Sequence, residues 1–132
     1  MDYWFSVTTP PNTSKENAIE TAMHVTEGII THVWIKHPPG CRGLVHATIS
    51  DGLNQIYPTN KDESYHGDTF PMEFDDAYEV AKPAKLYLLT WNESVTYSHV
   101  VDVRITILPK EKANPLQVMS DFVAILKKLV GV

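Results

Sequence analysis

Hydrophobic and polar residues alternate along several stretches of this chain, as they do in β-strands that have one buried and one exposed face. The most regular stretch contains Val101, Val103, Ile105 and Ile107, each separated from the next by a polar residue. This pattern predicts a strand with one face in the core and the other in water. The segment from Lys85 to Trp91 is almost continuously apolar instead, which predicts a strand buried on both faces.

Two more alternating runs, Ile29–Lys36 and Leu44–Ser50, flank the segment HPPGCRG. Pro38 and Pro39 lack backbone donors, and the glycines of this segment permit positive φ, so neither a helix nor a strand is expected to continue through it. The pattern therefore predicts a β-hairpin from Gly28 to Ser50 at the centre of an all-β domain.

Turn signals divide the rest of this domain into further short strands. Tyr3–Thr8 is predicted to be the first strand. Asp51-Gly52 is a strong turn signal, after which Leu53–Tyr57 is predicted to return antiparallel to the preceding strand. Phe70–Val80 is predicted to form two short strands that break at Asp75-Asp76.

The segment from Asn12 to Glu27 is polar, and its pattern leaves three alternatives open: one or two helical turns, a loosely packed connection, or an irregular strand. The whole region then holds about seven to nine strands, with turn signals roughly every 8 to 12 residues. The predicted fold is all-β, an antiparallel β-sandwich or jelly roll that spans residues 1–108.

The C-terminal part of the chain has the period of an amphipathic helix instead. Residues 109–113 are predicted to be a polar linker, and residues 114–132 a helical tail with Asn114 as its cap and Pro115 at its first position. Lys127 and Lys128 near its end suit the helix dipole. The apolar residues recur at spacings of three, four and seven and form the candidate interaction site, here called the apolar stripe: Leu116, Met119, Phe122, Val123, Leu126, Leu129 and Val130.

A helix with such a stripe needs a surface to cover it. Two alternatives stay open: the tail packs on its own sandwich, or it inserts into a neighbouring subunit or a helical bundle. Binding to a membrane surface is less favoured, because only two lysines lie on the helix. The second alternative implies protein subunits as partners, and a homo-oligomer as the simplest assembly.

The chain is slightly acidic, with 16 Asp and Glu against 11 Lys and Arg among 132 residues. It has no dense basic run, which argues against binding nucleic acid through phosphates. No apolar stretch is long enough to span a membrane, and the N-terminus lacks the basic region of a signal peptide. We therefore expect a cytoplasmic protein whose partners are neither nucleic acid nor membrane.

Histidine and cysteine side chains are the first candidates for catalysis or metal binding. His32 and His46 could face each other on the predicted hairpin, with His37 at its turn, but the spacing places no acidic ligand beside them. The single Cys41 excludes an intrachain disulfide. Its neighbour Arg42 could lower the thiol pKa, although a small residue in a tight turn explains its presence better.

Glu73, Asp75 and Asp76 resemble calcium ligands, but the spaced pattern of a calcium-binding loop is missing and a solvated turn is expected. The sequence also contains no nucleophile elbow and no glycine-rich phosphate-binding motif. We therefore expect a protein that is not an enzyme and that uses no cofactor and no metal.

Three tryptophans, Trp4, Trp34 and Trp91, occur together with six tyrosines. Aromatic rings on strands are more often core or interface residues, but they can also form a platform on which a sugar stacks. A carbohydrate-binding β-sandwich module is therefore the alternative function. Asn12 and Asn92 match the glycosylation sequon, which means little without a secretory signal.

Two runs, IKHPPGCRGLVHATISDGLNQIYPTN and LLTWNESVTYSHVVDVRITILP, resemble small uncharacterised proteins encoded among the structural genes of tailed phages and related prokaryotic viruses. The shared features are PPGCxGL, a QIxPxN strand end, WNE and a closing VRxxxLP strand, within about Pro10 to Pro109. The apolar tail is not part of the resemblance. The resemblance implies a virion component assembled in the host cytoplasm, such as a decoration, minor capsid or connector protein, which contacts its own copies or other virion proteins.

Overall fold

The computed structural model of the chain describes residues 1–109 and 115–129, and it describes the side chains of residues 1–109 and 122–129. Within these residues the chain forms two antiparallel sheets and a C-terminal helix, which confirms the predicted all-β sandwich. The elements in chain order are β1 Asp2–Thr9, a 3-10 turn Lys15–Asn17, β2 Ile19–His24, β3 Gly28–Lys36, β4 Val45–Ser50, β5 Gln55–Tyr57, β6 Tyr65–His66, β7 Met72–Val80, β8 Lys85–Asn92, β9 His99–Pro109 and α1 Pro115–Leu129.

The first sheet has the strand order β1-β9-β3-β7, and the second has the order β2-β8-β4-β5 with β6 also paired to β4. The inner faces of the two sheets share one hydrophobic core. The alternating residues Val101, Val103, Ile105 and Ile107 of β9 all have no exposed surface, which confirms the buried face predicted for this strand, whereas its outward polar residues are half-buried rather than in water. β9 lies between β1 and β3, so its inward side chains are covered from every side.

The predicted hairpin from Gly28 to Ser50 is wrong, because its two strands lie in different sheets. β3 pairs with β7 and β9, whereas β4 pairs with β5, β6 and β8. The segment between them crosses from one sheet to the other through a turn in which the amide of Cys41 donates to the carbonyl of Pro38. Alternation of apolar and polar residues indicates which face of a strand is buried, but it does not indicate which strand pairs with it. Both strands here face the same core, so both show the same pattern.

The predicted turn at Asp51-Gly52 is confirmed, and the chain returns as β5, antiparallel to β4. The Asp51 carboxylate accepts hydrogen bonds from the amides of Leu53 and Asn54, at 2.9 and 2.8 Å. Hydrogen bonds from the Asn54 and Leu53 amides lower the pKa of Asp51. Gly52 has a φ of 104°, a conformation that glycine adopts without strain.

Two further predictions need correction. The segment from Phe70 to Val80 contains one strand, β7, rather than two, and its register against β3 shifts between the pairs Ile30↔Tyr78 and His32↔Asp75. The predicted break at Asp75-Asp76 is therefore a β-bulge, in which the chain bends and continues. β8 is not buried on both faces along its whole length, because Tyr87 and Leu89 are only half-buried on its outer side.

Two more segments complete the comparison with the sequence. Among the three alternatives for Asn12 to Glu27, the structure shows a strand, β2, preceded by the short 3-10 turn. The polar linker predicted at residues 109–113 lies almost wholly outside the described residues, as does its neighbour Asn114. β9 ends at Pro109, and α1 begins at Pro115.

Gly28 opens β3 at a point where the neighbouring strand β9 approaches closely. A Cβ atom at this position would collide with the carbonyl oxygen of Leu108 and would lie 2.9 Å from Cγ2 of Ile107. Because the obstacle is backbone in the middle of a sheet, the strands would have to separate. We expect Gly28→Ala to lower the free energy of unfolding by about 2 kcal/mol. Chemical denaturation measures this change.

Gly67→Ala is the matched control for Gly28→Ala. A Cβ atom on Gly67 would lie 3.8 Å from Cε of Met72, which is ordinary van der Waals contact. The control variant should be as stable as the parent or slightly more stable, since alanine restricts the unfolded chain. Equal stability of the two variants would contradict the steric account of Gly28.

Candidate functional site

The apolar stripe of α1 is the first candidate site, and its described side chains are exposed. The exposed fractions are 62% for Phe122, 46% for Val123, 44% for Leu126 and 77% for Leu129. Ile125 on the same helix is also exposed. The stripe residues Leu116 and Met119 belong to α1, but their side chains are outside the described set, and Val130 lies outside the described residues. The described part of the stripe is therefore not covered by its own sandwich.

The outer face of the first sheet carries the second candidate site. Strand register places Trp4 of β1, Arg104 of β9 and Trp34 of β3 directly opposite one another. The two indole rings lie 5.4 Å apart between centroids. The Arg104 guanidinium lies 6.0 Å from the Trp4 ring and 5.5 Å from the Trp34 ring, within the range of cation–π attraction. We call these three side chains the tryptophan row.

Hydrogen bonds fix one end of the tryptophan row. Nε1 of Trp4 donates to Oγ of Ser6 at 3.2 Å, and Oγ of Ser6 donates to Oδ1 of Asp102 at 2.6 Å. Trp4 is nevertheless 56% exposed, so a large part of its ring faces solvent. An exposed ring that is held in one orientation can receive a ligand without first being ordered.

Glu73 of β7 extends the same row beyond Trp34, and it belongs to a small network around His32. Nε2 of His32 lies 2.9 Å from Glu73, and Nδ1 lies 2.7 Å from Asp75. The hydrogen bonds to Asp75 and Glu73 raise the pKa of His32. The remaining acidic candidate, Asp76, accepts a hydrogen bond from the hydroxyl of Tyr57 at 2.6 Å. These carboxylates thus have partners within the fold.

The structure separates the histidines that the sequence placed together. His32 is on the first sheet, whereas His46 is on the second sheet and stacks on Trp91 with ring centroids 5.1 Å apart. Trp91 is only 6% exposed, so it does not share a platform with the two other tryptophans. Burial lowers the pKa of His46, although nearby Glu93 opposes this shift.

His37 follows β3, and its side chain is fully buried. Neither ring nitrogen of His37 has a hydrogen-bond partner among the described residues. Burial, together with the nearby His46 and His66, lowers the pKa of His37 to about 4, so the ring is neutral at pH 7. Its backbone carbonyl accepts a hydrogen bond from the amide of Thr69, which joins the crossing segment to the loop after β6.

Cys41 is buried in the same crossing segment. Burial, with a contribution from Asp68, raises the pKa of the Cys41 thiol to about 11. The thiol is therefore protonated at neutral pH, which is the opposite of the activation that a neighbouring arginine could supply. Within the described residues, the structure shows no group of three or more His, Cys, Asp or Glu side chains arranged to hold a metal ion.

Asn92 was missed as a structural residue, because its sequence context is that of a glycosylation sequon. It is fully buried at the end of β8. Its Nδ2 donates to the carbonyls of Thr9 and Tyr97 at 3.1 and 2.9 Å, and its Oδ1 accepts from the amide of Ser94 at 2.9 Å. Asn92 thus connects β1 and β8 to the loop before β9. The one signal in the sequence is that Asn92 directly follows the apolar segment Lys85–Trp91.

Comparison with models of known protein families gives no match for this chain, and comparison with curated proteins gives none either. Among the described residues, no helix is both long enough and apolar enough to cross a membrane.

Proposed function

We propose that this chain is a non-enzymatic assembly protein that associates with its own copies through α1, and that it serves as a virion component. The observation that carries the proposal is the exposed apolar stripe. Phe122 and Leu129 are more than half exposed on a helix of only 15 residues. A soluble monomer rarely leaves adjacent large apolar side chains uncovered, and such patches mark interaction sites.

The spacing within the stripe indicates what covers it. Leu116, Met119, Val123, Leu126 and Val130 are separated by three, four, three and four residues. This is the heptad spacing with which like helices pack side by side, and its second half alternates β-branched valine with γ-branched leucine at the core positions Val123, Leu126 and Val130. Phe122 and Leu129 widen the seam on one side. A second copy of the same helix is therefore the occupant that fits the pattern.

The β-sandwich suits the same role. The buried core residues lie on the strands and the crossing segment, and no described side chain of α1 is among them. A β-sandwich joined to a helix with an exposed apolar stripe is an arrangement that allows identical subunits to join in closed symmetry. The virion role rests on the resemblance of the two sequence runs, and decoration, minor capsid and connector proteins all act through such subunit contacts.

The double variant Val123→Gln, Leu126→Gln tests self-association through α1. Glutamine keeps helix propensity but removes the apolar surface at two seam positions. We expect association to weaken at least about tenfold, because each buried side chain of this size contributes roughly 1.5 to 3 kcal/mol. Light scattering after size exclusion measures the molar mass at several protein concentrations.

Lys128→Gln is the matched control, since it changes an exposed residue of the same helix outside the stripe. This variant should keep the mass of the parent. An unchanged mass in the double variant would contradict the proposal, and so would an equal loss of mass in the control. The virion role has its own test: mass spectrometry of tailed particles purified from the source cells should detect the chain as a stoichiometric component.

A further inference from the structure

We propose that the tryptophan row on the outer face of the first sheet is a binding site for neutral carbohydrate. Trp4, Arg104 and Trp34 come from three adjacent strands, β1, β9 and β3, and lie in one line across the sheet. This site is independent of α1 and extends the proposed function from assembly to recognition of a surface that carries sugars.

The first argument is the shape of the row. Two indole rings with centroids 5.4 Å apart and planes tilted by 43° form an angled aromatic surface against which a sugar ring can pack. One face of a pyranose ring presents mainly C–H groups, which pack on an aromatic ring as other apolar groups do. Trp4 supplies the accessible part of this surface, since it is 56% exposed, and Trp34 is half-buried beside it.

The second argument is the set of polar groups at the margins of the aromatic surface. Asp102 accepts a hydrogen bond at Oδ1 and Glu73 at Oε2, and in each carboxylate the second oxygen has no partner among the described residues. The Arg104 guanidinium lies over the rings and makes no hydrogen bond to a described side chain. The row thus has acceptors and donors beside an apolar surface, which is what the hydroxyl groups around a sugar ring require.

The third argument is charge. Glu73, Asp75, Asp102 and Asp2 surround the row, against the cations Arg104 and Lys36 on the same face and the His32 ring between Glu73 and Asp75. This acidic margin repels phosphate, sulfate and carboxylate groups, so stacking on nucleic acid bases or on acidic glycans is disfavoured. The occupant with the matching chemistry is an uncharged polysaccharide or oligosaccharide.

The full chain should be tested against soluble neutral glycans: maltodextrin, laminarin, hydroxyethylcellulose and oligomers of N-acetylglucosamine. Dextran sulfate serves as the anionic comparison. Isothermal titration calorimetry measures affinity, and quenching of tryptophan fluorescence gives an independent signal. We expect one of the neutral glycans to bind and Trp4→Ala to weaken it at least about tenfold. Trp4→Phe, which keeps an aromatic ring, should lose less of the affinity for the glycan than Trp4→Ala does.

Tyr97→Ala is the matched control, because Tyr97 is an aromatic residue that is 67% exposed in the loop before β9 and away from the row. It should bind glycan as the parent does. Absence of binding to every neutral glycan would overturn the proposal. Stronger binding of dextran sulfate, or an equal loss in Trp4→Ala and Tyr97→Ala, would also overturn it.

Molar mass separates this proposal from the assembly proposal. Trp4→Ala should keep the oligomeric state of the parent, whereas the double variant in α1 should keep the affinity of each chain for glycan. A lower mass in Trp4→Ala would show that the tryptophan row is a contact between copies of the chain, and it would overturn the carbohydrate site.

Discussion

Replacing Asn92 by alanine is expected to lower the free energy of unfolding by about 3 kcal/mol. The alanine removes three hydrogen bonds at once, two donated by Nδ2 and one accepted by Oδ1. The carbonyl of Thr9 and the amide of Ser94 belong to buried residues, so water cannot readily replace the lost partner. Each group left without a partner costs roughly 1 kcal/mol or more, which gives the expected total.

Chemical denaturation of Asn92→Ala and Asn54→Ala compares a buried asparagine with an exposed one. The side chain of Asn54 lies in the turn after β4 and makes no hydrogen bond to a described residue. We expect Asn54→Ala to change the free energy of unfolding by less than about 0.5 kcal/mol. If the two variants lose the same stability, Asn92 does not connect the strand ends as described.

Acidification is expected to destabilise the protein through His37. The pKa of His37 is about 4 in the folded protein and near the ordinary value of 6.5 when the chain is unfolded. Between these two values the unfolded chain binds a proton that the folded protein does not, so stability falls as the pH falls from about 6.5 to about 4. The full difference corresponds to about 3 kcal/mol.

The surroundings of His37 support this direction. The ring is fully buried, neither nitrogen has a described partner, and the titratable groups that act on it are His46 and His66. His46 and His66 lower the pKa of His37 further, because a positive charge on either ring would repel one on His37. Burial also lowers the pKa of His46, so part of the acid sensitivity should persist when His37 is replaced.

The variants His37→Gln and His24→Gln separate the buried histidine from an exposed one. Glutamine is polar but does not titrate in this range, and His24 is exposed on β2. Urea denaturation from pH 7 to pH 4 should show a clearly shallower loss of stability in His37→Gln than in the parent, and a parental slope in His24→Gln. A parental slope in both variants would show that His37 is not responsible for the acid sensitivity.

The sequence predicts local structure well where residues close together in the chain determine the conformation. The alternating valines and isoleucines of β9 and the turn at Asp51-Gly52 both form as expected, since each follows from residues close together in the chain. The break expected at Asp75-Asp76 is a bulge, which disturbs the pairing at the right place but does not end the strand. The hairpin prediction was wrong because the partner of a strand is a long-range choice that alternation does not encode.

The candidate sites likewise differ in whether they depend on local sequence or on contacts between distant parts of the chain. The apolar stripe of α1 follows from helical spacing, which the sequence displays directly. The sequence suggests Trp4, Trp34 and Trp91 as a platform, but it does not show which of them meet. Trp4 and Trp34 come together beside Arg104 only through the register of β1, β9 and β3, and Trp91 is buried in the other sheet. His37 has the context of a turn residue, since two prolines follow it, but the crossing segment folds back and buries its ring.

Self-association through α1 is the central claim, and the molar mass of the unmodified chain tests it most directly. Light scattering after size exclusion, repeated over a range of concentrations, measures this mass without a label or a variant. We predict a defined multiple of the chain mass of 14.9 kDa that persists as the sample is diluted to micromolar concentration. A mass of 14.9 kDa at every concentration would contradict the claim, because the apolar stripe would then have no second copy to cover it.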